Sequence, residues 1–489
     1  MAAKRFIPKT MATQHPDNVA SPFFATNPEL GGEDEVHEAY YAFSHLGCTE
    51  QMWDCEGKET DVYVVKKLLS RHEAFFREKK LGKDVFITLR VPNPSVETTE
   101  AKILLETLES IPRSFDAAKL FYGADQVPIF EVILPMAGSA KELNRIYHYY
   151  QDFVVGKQTK RLMPGDIKVS DWVGDFNPSS INVIPLFEAM DQMLHCGDIT
   201  REYLKNKSVD YQRVFLARSD PAMNYGNVSA VLLNKIALQN LWQFQEESGI
   251  RIYPILGIGS APFRGNMRPD TVESVIGEYP SVHTYSIQSA FKYDYSPDEV
   301  RASIEKINQH KTRAPQQVET DRCLEIIKKI MMNYQAQIAK LAPVVNRVAR
   351  FVPERRRRKM HVGLFGYSRN VEGIKLPRAI KFAAALHSIG LPPEILGLSA
   401  LNAEDFRYLR KVYRTIDDDI SFAMSFLNPK ALKLAQSLGV DLGELPFEFT
   451  QNQAHSEATS AVLDMLEREQ TGDIVAEILR AASIRKFLG

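Results

Sequence analysis

Cysteine is scarce in this chain: Cys48, Cys55, Cys196 and Cys323 are the four in 489 residues. They form no CxxC pair and no zinc-like spacing, which excludes a zinc ribbon and a disulfide framework. They read as reduced thiols of a cytoplasmic protein. Long apolar runs are missing too. Lys4 and Arg5 are followed by no apolar stretch or small-residue cleavage site, so neither a signal peptide nor a transmembrane helix is expected. Neither sign of charge dominates: 60 Lys and Arg face 61 Asp and Glu, a net charge of −1. No global field therefore favours nucleic acid or an acidic membrane. Internal repeats and low-complexity tracts are absent. So are the common phosphate-binding glycine signatures. The loop from Gly257 to Gly265 lacks the third glycine of a dinucleotide fingerprint and the Gly-Lys-Ser/Thr ending of a Walker loop.

What is present is ordinary globular composition, 44% hydrophobic and 25% charged, arranged as alternating strand and helix. Eight short apolar runs read as strands: residues 51–53 with their flanks, 85–91, 128–134, 181–187, 213–217, 252–256, 282–287 and 361–365. Helical patterns fill most gaps, as at 62–79, 96–110, 140–153 and 228–246. Alternation argues for a parallel sheet with right-handed crossovers. Eight units match a (β/α)8 TIM barrel, with an open doubly wound sheet as the alternative. The expectation is one α/β domain over residues 1–489 with additional helices. Barrel strands run between residues 50 and 366, a helical insert at 320–352 lies between strands seven and eight, and a C-terminal helical part covers 375–489.

A barrel demands that functional residues follow the strands. Glu188 closes run 181–187, and Asp220 follows run 213–217. Two hard anionic oxygens at neighbouring strand ends suit Mg²⁺, which takes one or two carboxylates and fills its other positions with water and substrate oxygens. The alternative is two solvated acids, or acids paired with arginine. The other strand ends supply Asp54, Glu56, Arg90, Arg218, Ser219, Gln288, Lys292, Tyr367, Ser368 and Arg369. This mixture of acids and cations suggests a phosphorylated or carboxylated substrate bound through Mg²⁺. In the glycine loop, Gly259, Ser260 and Gly265 would let backbone N–H groups approach an anion. Arg264 is placed to reach a phosphate or enolate oxygen. A tight turn bearing a surface arginine is the competing account. His15 precedes Pro16, which biases it toward an extended backbone. His45 and His283 lie beside apolar runs and read as packing residues. The basic run 355–359 is short and without interleaved aromatics, so it reads as a solvated face or subunit contact rather than a nucleic-acid site.

Several separated blocks resemble the phosphoenolpyruvate carboxylase family. They are residues 13–18 (Thr-Gln-His-Pro-Asp-Asn), the strand end 185–188, Ser219-Asp220 with Asn224, and the loop 259–265. The compact length and the leader 11–24, followed by Gly31-Gly32-Glu33-Asp34-Glu35, match its archaeal-type branch. The resemblance spans His15 to Gly489. Relative to the larger bacterial and plant branch, the histidine and arginine before the glycine loop are replaced here by 254–258, and 487–489 keeps only the final glycine.

The resemblance implies a barrel enzyme that joins phosphoenolpyruvate and bicarbonate, with Mg²⁺, to give oxaloacetate and phosphate and so replenish four-carbon acids. Glu188 and Asp220 would hold the metal. His15 and Arg264 would be catalytic. Arg90, Arg218, Gly259, Ser260, Gly265, Lys292 and Arg369 would bind substrate, and 262–267 would form a gate. A cytoplasmic homotetramer inhibited by aspartate or malate, without nucleic-acid or membrane partners, is also implied. Two other readings stand beside it: another Mg²⁺-dependent phosphoenolpyruvate or pyruvate barrel enzyme (a phosphotransferase or lyase), and a non-catalytic binding protein.

Overall fold

A computed structural model describes residues 5–56, 60–98, 101–357, 370–371 and 374–489. Eight parallel strands close into one barrel in sequence order. They are β1 Thr10–Ala12, β2 Glu50–Asp54, β3 Phe86–Arg90, β4 Glu131–Leu134, β5 Asn182–Phe187, β6 Tyr211–Ala217, β7 Arg251–Gly257 and β8 Thr284–Ile287. Seven coincide with expected runs. The eighth does not: β1 closes the barrel, pairing Met11 with Glu50 on one side and with Ser286 on the other. The expected strand at 361–365 falls outside the described residues, and the barrel is complete without it. Barrel strands therefore begin at Thr10 rather than near residue 50.

Side chains of a strand alternate between its two faces, so the inward set can be followed upward. At the foot of the barrel, Arg213 donates to Glu50 at 2.7 and 2.6 Å and to Glu131 at 2.9 Å. Thr88 adds a hydroxyl bond to Glu50. The ion cluster is buried, and its geometry lets attraction offset the cost of desolvation. Above it pack Met11, Met52, Ile133, Ile184, Leu186, Phe215, Ala217 and Ile255. One more step of the same period brings Arg90, Glu188 and Gln288 to the barrel mouth.

The helices wrap this barrel and extend beyond it. Helix Asn227–Ser248 is buried on nearly every side along its first half, because the 30-residue helix Thr320–Ala349 packs across it. That long helix follows β8 and helix Pro297–Gln309, so it is not an insert before the last strand. The C-terminal helices start at well-formed caps. Asn402, Asn428 and Asn452 each accept a backbone N–H of the first turn, and Pro429 occupies the first helical position after Asn428. The last helix, Ile474–Arg485, returns the chain to the barrel mouth, where Leu488 N–H donates to Asp17 O at 2.7 Å. Among the described residues, no helix is long and apolar enough to cross a membrane.

Candidate active site

A cavity of about 310 Å³ opens at the C-terminal ends of the strands. Leu186, Phe215, Ala217, Gly257 and Ser286 form its floor, and His15, Glu56, Arg90, Glu188, Arg218, Ser219, Asp220, Arg264 and Gln288 its inner wall. Its outer wall comes from residues the strand-end argument did not reach: Glu354, Arg355, Arg378, Lys381 and Leu488. Six cationic side chains (Arg90, Arg218, Arg264, Arg355, Arg378, Lys381) face four acids (Glu56, Glu188, Asp220, Glu354), a lining that suits an anion accompanied by a cation.

Glu188 follows β5 and lies at the mouth with little exposure; its Oε2 accepts Met136 N–H at 2.9 Å. Asp220 stands at the start of helix Ser219–Tyr225, after the adjacent strand β6. Neighbouring strands thus bring the two carboxylates to one cavity. Among the described residues, no group of three or more His, Cys, Asp or Glu is gathered for a metal. Two hard oxygen donors without nitrogen or sulfur fit Mg²⁺, which keeps water and substrate oxygens in its shell, better than zinc.

Arg264 is fully enclosed and held on every nitrogen. Nε donates to Ser219 Oγ at 3.1 Å, Nη1 to Asp17 Oδ2 at 3.1 Å and Gly489 O at 3.0 Å, and Nη2 to Gln288 Oε1 at 2.5 Å. Burial lowers its pKa, opposed by Asp17 and Asp220; burial likewise pushes the Asp17 carboxyl up against the pull of Arg264. The glycines explain how so large a group fits. A Cβ on Gly259 would stand 2.7 Å from Arg264 Nη1, and Gly265 has φ +119° with Ile258 Cγ2 2.5 Å from where its Cβ would be. Gly259 makes room for the arginine and Gly265 for Ile258; neither amide is turned to an anion. Gly259 N–H bonds Arg264 O, Gly265 N–H bonds Pro262 O, and the Ser260 amide bonds Asp17. Ser260 Oγ donates to Met267 O at 3.1 Å. Gly259, Ser260 and Gly265 all lie behind the cavity wall. The segment 262–267 is buried and pinned, with Phe263 N–H on Glu394 Oε1 at 2.8 Å, so it forms a wall rather than a gate.

Arg90 lines the cavity and is paired bidentately with Asp54 at 2.9 and 2.7 Å, with Glu56 3.5 Å away. Arg218 lines it as well, and donates to Phe263 O at 3.2 Å and Asn227 Oδ1 at 2.6 Å. Lys292 faces away: its Nζ donates to Thr13 O at 2.9 Å and Glu38 Oε1 at 2.8 Å. Arg369, Tyr367 and Ser368 fall outside the described residues. His15 borders the cavity, and burial first, then Arg90 and Arg264, hold its pKa well below the ordinary value, which favours the neutral ring. His283 is a packing residue, edge-on to Tyr253 at 4.6 Å, whereas His45 is exposed. In the described part of the basic run, Arg355 and Arg356 are buried and Arg357 is exposed. Arg355 donates to Asn18 O at 3.2 Å and Val19 O at 2.7 Å, and Arg356 to Glu35 at 3.1 Å and Glu38 at 2.7 Å. Arg355 thus clamps the leader and Arg356 the helix Glu33–Tyr41 that follows it, so these two arginines are committed within the fold.

Asp17 was not singled out from sequence, although it is two residues from His15 within the leader block. Arg378, Lys381 and Leu488 carry no local signal, because they reach the mouth from segments after β8, and Arg355 was legible only as part of the basic run.

A closed parallel barrel with acids and cations converging at the C-terminal mouth of its strands defines an α/β-barrel enzyme for a small anionic substrate. Comparison with known proteins makes the assignment specific. A family model described as phosphoenolpyruvate carboxylase matches residues 7–489. The chain is 53% identical to the phosphoenolpyruvate carboxylase of Methanothermobacter thermautotrophicus, over 99% of this chain and 100% of the relative. It is 50% identical to that of Pyrococcus abyssi, with the same coverage, and 46% identical to that of Halobacterium salinarum, over 99% of each. The chain belongs to the phosphoenolpyruvate carboxylase family, in its archaeal-type branch.

Proposed function

We propose that this enzyme carboxylates phosphoenolpyruvate with bicarbonate, giving oxaloacetate and phosphate, in the cavity at the barrel mouth. The observation that carries the reading is the convergence on one cavity of Glu188, Asp220, Arg264 and His15. Glu188 and Asp220 would hold Mg²⁺, which when bound supplies Lewis-acid charge to phosphate and enolate oxygens.

The chain's own residues then account for the course of the reaction. The cationic lining binds the phosphate and carboxylate of the substrate, with Arg90, Arg355 and Arg378 as the candidates on opposite walls. Bicarbonate attacks phosphorus and gives carboxyphosphate and pyruvate enolate. Arg264, fixed before substrate arrives, offers preorganised positive charge to the negative charge that develops. Its partner Asp17 leaves that charge attenuated, so the guanidinium can meet an enolate without holding product too tightly. A neutral His15 can accept the carboxyphosphate proton as that intermediate collapses to CO₂ and phosphate. The enolate carbon then attacks CO₂. The apolar surfaces of Leu186, Phe215, Met223, Ile380 and Leu488 help exclude water that would protonate the enolate to pyruvate. Arg218 acts by bracing Phe263 next to Arg264. A cytoplasmic homotetramer that supplies four-carbon acids, inhibited by aspartate or malate, completes the proposal.

The test is a coupled assay that follows oxaloacetate and phosphate together, with and without bicarbonate and Mg²⁺. Dependence on both is expected. Turnover of phosphoenolpyruvate that ignores bicarbonate would turn the assignment toward a phosphotransferase or lyase. In the same assay, His15→Asn is expected to release phosphate at a reduced rate while oxaloacetate falls further.

A further inference from the structure

His15 is held from behind by a chain of buried polar groups that never reach the cavity. Its Nδ1 lies 2.9 Å from Thr13 Oγ1. Thr13 N–H donates to Ile287 O at 3.0 Å, which extends the pairing of β1 with β8, and the Thr13 carbonyl accepts from Lys292 Nζ at 2.9 Å. Lys292 is fixed by Glu38 Oε1 at 2.8 Å, and the same oxygen accepts from Tyr293 Oη at 2.8 Å and Arg356 Nη2 at 2.7 Å. Thr13 and Glu38 are fully buried and Lys292 is 2% exposed. One buried charge, Lys292, thus reaches the threonine carbonyl and is fixed in turn by Glu38, which also holds Arg356, and that threonine's hydroxyl meets one nitrogen of the site histidine.

We propose that Thr13 is a positioning residue: its hydroxyl holds the ring plane of His15 through Nδ1 and leaves Nε2 for the substrate, while Lys292 anchors Thr13. The inference rests on the reading of His15 given above. An imidazole is asymmetric, and the group at one nitrogen decides what the other can do. A hydroxyl both donates and accepts. It accepts from Nδ1–H while Nε2 is the base, and goes on accepting once Nε2 has taken a proton, because the imidazolium keeps both N–H groups. It therefore follows the ring through proton transfer without adding charge. A carboxylate in its place would favour the imidazolium and remove the neutral base. Lys292, expected from its strand-end position to bind substrate, acts in this arrangement two hydrogen bonds away from His15, through Thr13.

The experiment measures oxaloacetate formed per phosphate released in the intact enzyme carrying Thr13→Val, Thr13→Ser, Lys292→Met or His15→Asn. Thr13→Val keeps the shape and removes the hydroxyl. It is expected to slow oxaloacetate formation on the order of 10- to 100-fold, because a misplaced catalytic ring costs that much, and to move the product ratio toward that of His15→Asn. Thr13→Ser keeps the hydroxyl and should restore the ratio to within about twofold of the parent, as only the rotamer restriction of the β-methyl is lost. Lys292→Met should shift the ratio in the same direction; if it does not fold, the two Thr13 variants decide. Parallel loss of both products in Thr13→Val with the parent ratio, or a serine variant no better than valine, overturns the inference. If His15→Asn shifts the ratio and Thr13→Val does not, only Thr13's role falls. If His15→Asn leaves the ratio unchanged, the reading of His15 falls and this inference with it.

Discussion

Gly259→Ala tests the placement of Arg264 without altering its charge. Gly259 is not in the left-handed backbone region, so alanine adds a clash and no backbone strain. The new methyl would stand 2.7 Å from Arg264 Nη1, 2.9 Å from Cζ and 2.8 Å from Gln288 Oε1, where ordinary contact begins at 3.4 Å. The guanidinium must therefore withdraw by 0.7 Å (3.4 − 2.7). A shift of that size misaligns the fork that now matches Asp17, Gln288, Ser219 and Gly489. Losing one hydrogen bond of a charged group costs about 1.5–3 kcal/mol of stability. Misplacing a reacting group by close to 1 Å costs on the order of 10² in rate. The expected outcome is a folded enzyme whose kcat for oxaloacetate, read in a dehydrogenase-coupled assay, falls about 10²-fold while KM for phosphoenolpyruvate changes little. Full kcat in Gly259→Ala would show that the position of Arg264 does not govern the chemical step. A large rise in KM at unchanged kcat would make Arg264 a ground-state anion clamp.

Arg264→Lys keeps the charge but has three donors on one atom for four separated acceptors; kcat is expected to fall about 10²–10³-fold, and steady-state kinetics check this. Asp220→Asn or Glu188→Gln each removes one hard anionic ligand, so Mg²⁺-dependent turnover should be abolished with the thermal unfolding midpoint nearly kept; full activity at ordinary Mg²⁺ would refute the metal assignment. Glu38 is buried, which alone would push its carboxyl up, but Arg356 and Lys292 hold it down at about 2. Its folded pKa is below the ordinary 4.5, so its stabilisation is complete above that pH and is lost as pH falls toward 2. The contribution is about 3 kcal/mol, and urea midpoints at several acid pH values should fall less steeply in Glu38→Gln than in the parent.

Strands long enough to show β-branched apolar runs were visible in the sequence, which is why β2 to β8 appear there. β1 was not, because three residues, Thr-Met-Ala, are too short for a period-2 pattern and have no flanking turn signal. Its place in the count went to an equally apolar run at 361–365. Glu188, Asp220, Arg90 and Arg264 were found because a barrel turns strand ends into one ring. The same rule misdirected Lys292: following β8 gives proximity, but its short helix Ser289–Tyr293 turns the side chain toward Thr13 and Glu38. The outer wall was hidden for a different reason. Arg378, Lys381 and Leu488 depend on tertiary packing of helices after the barrel, which no local pattern encodes.

The closing strand has a consequence for synthesis. β1 carries the leader with Thr13, His15 and Asp17, and it completes the barrel only by pairing with β8, as in Thr10 with Tyr285. Nascent chains grow at about 5–20 residues per second, so β1 waits roughly 15–55 s for its second neighbour. Pairing over such a span is slow in itself, since loop closure precedes any gain from contact. Arg355 and Leu488, which clamp the same leader, emerge later still. Barrel closure and assembly of the His15–Arg264 site are therefore one late event. A ribosome-bound fragment that ends before β8 should hold the leader open to protease, and no partly made chain should turn over phosphoenolpyruvate.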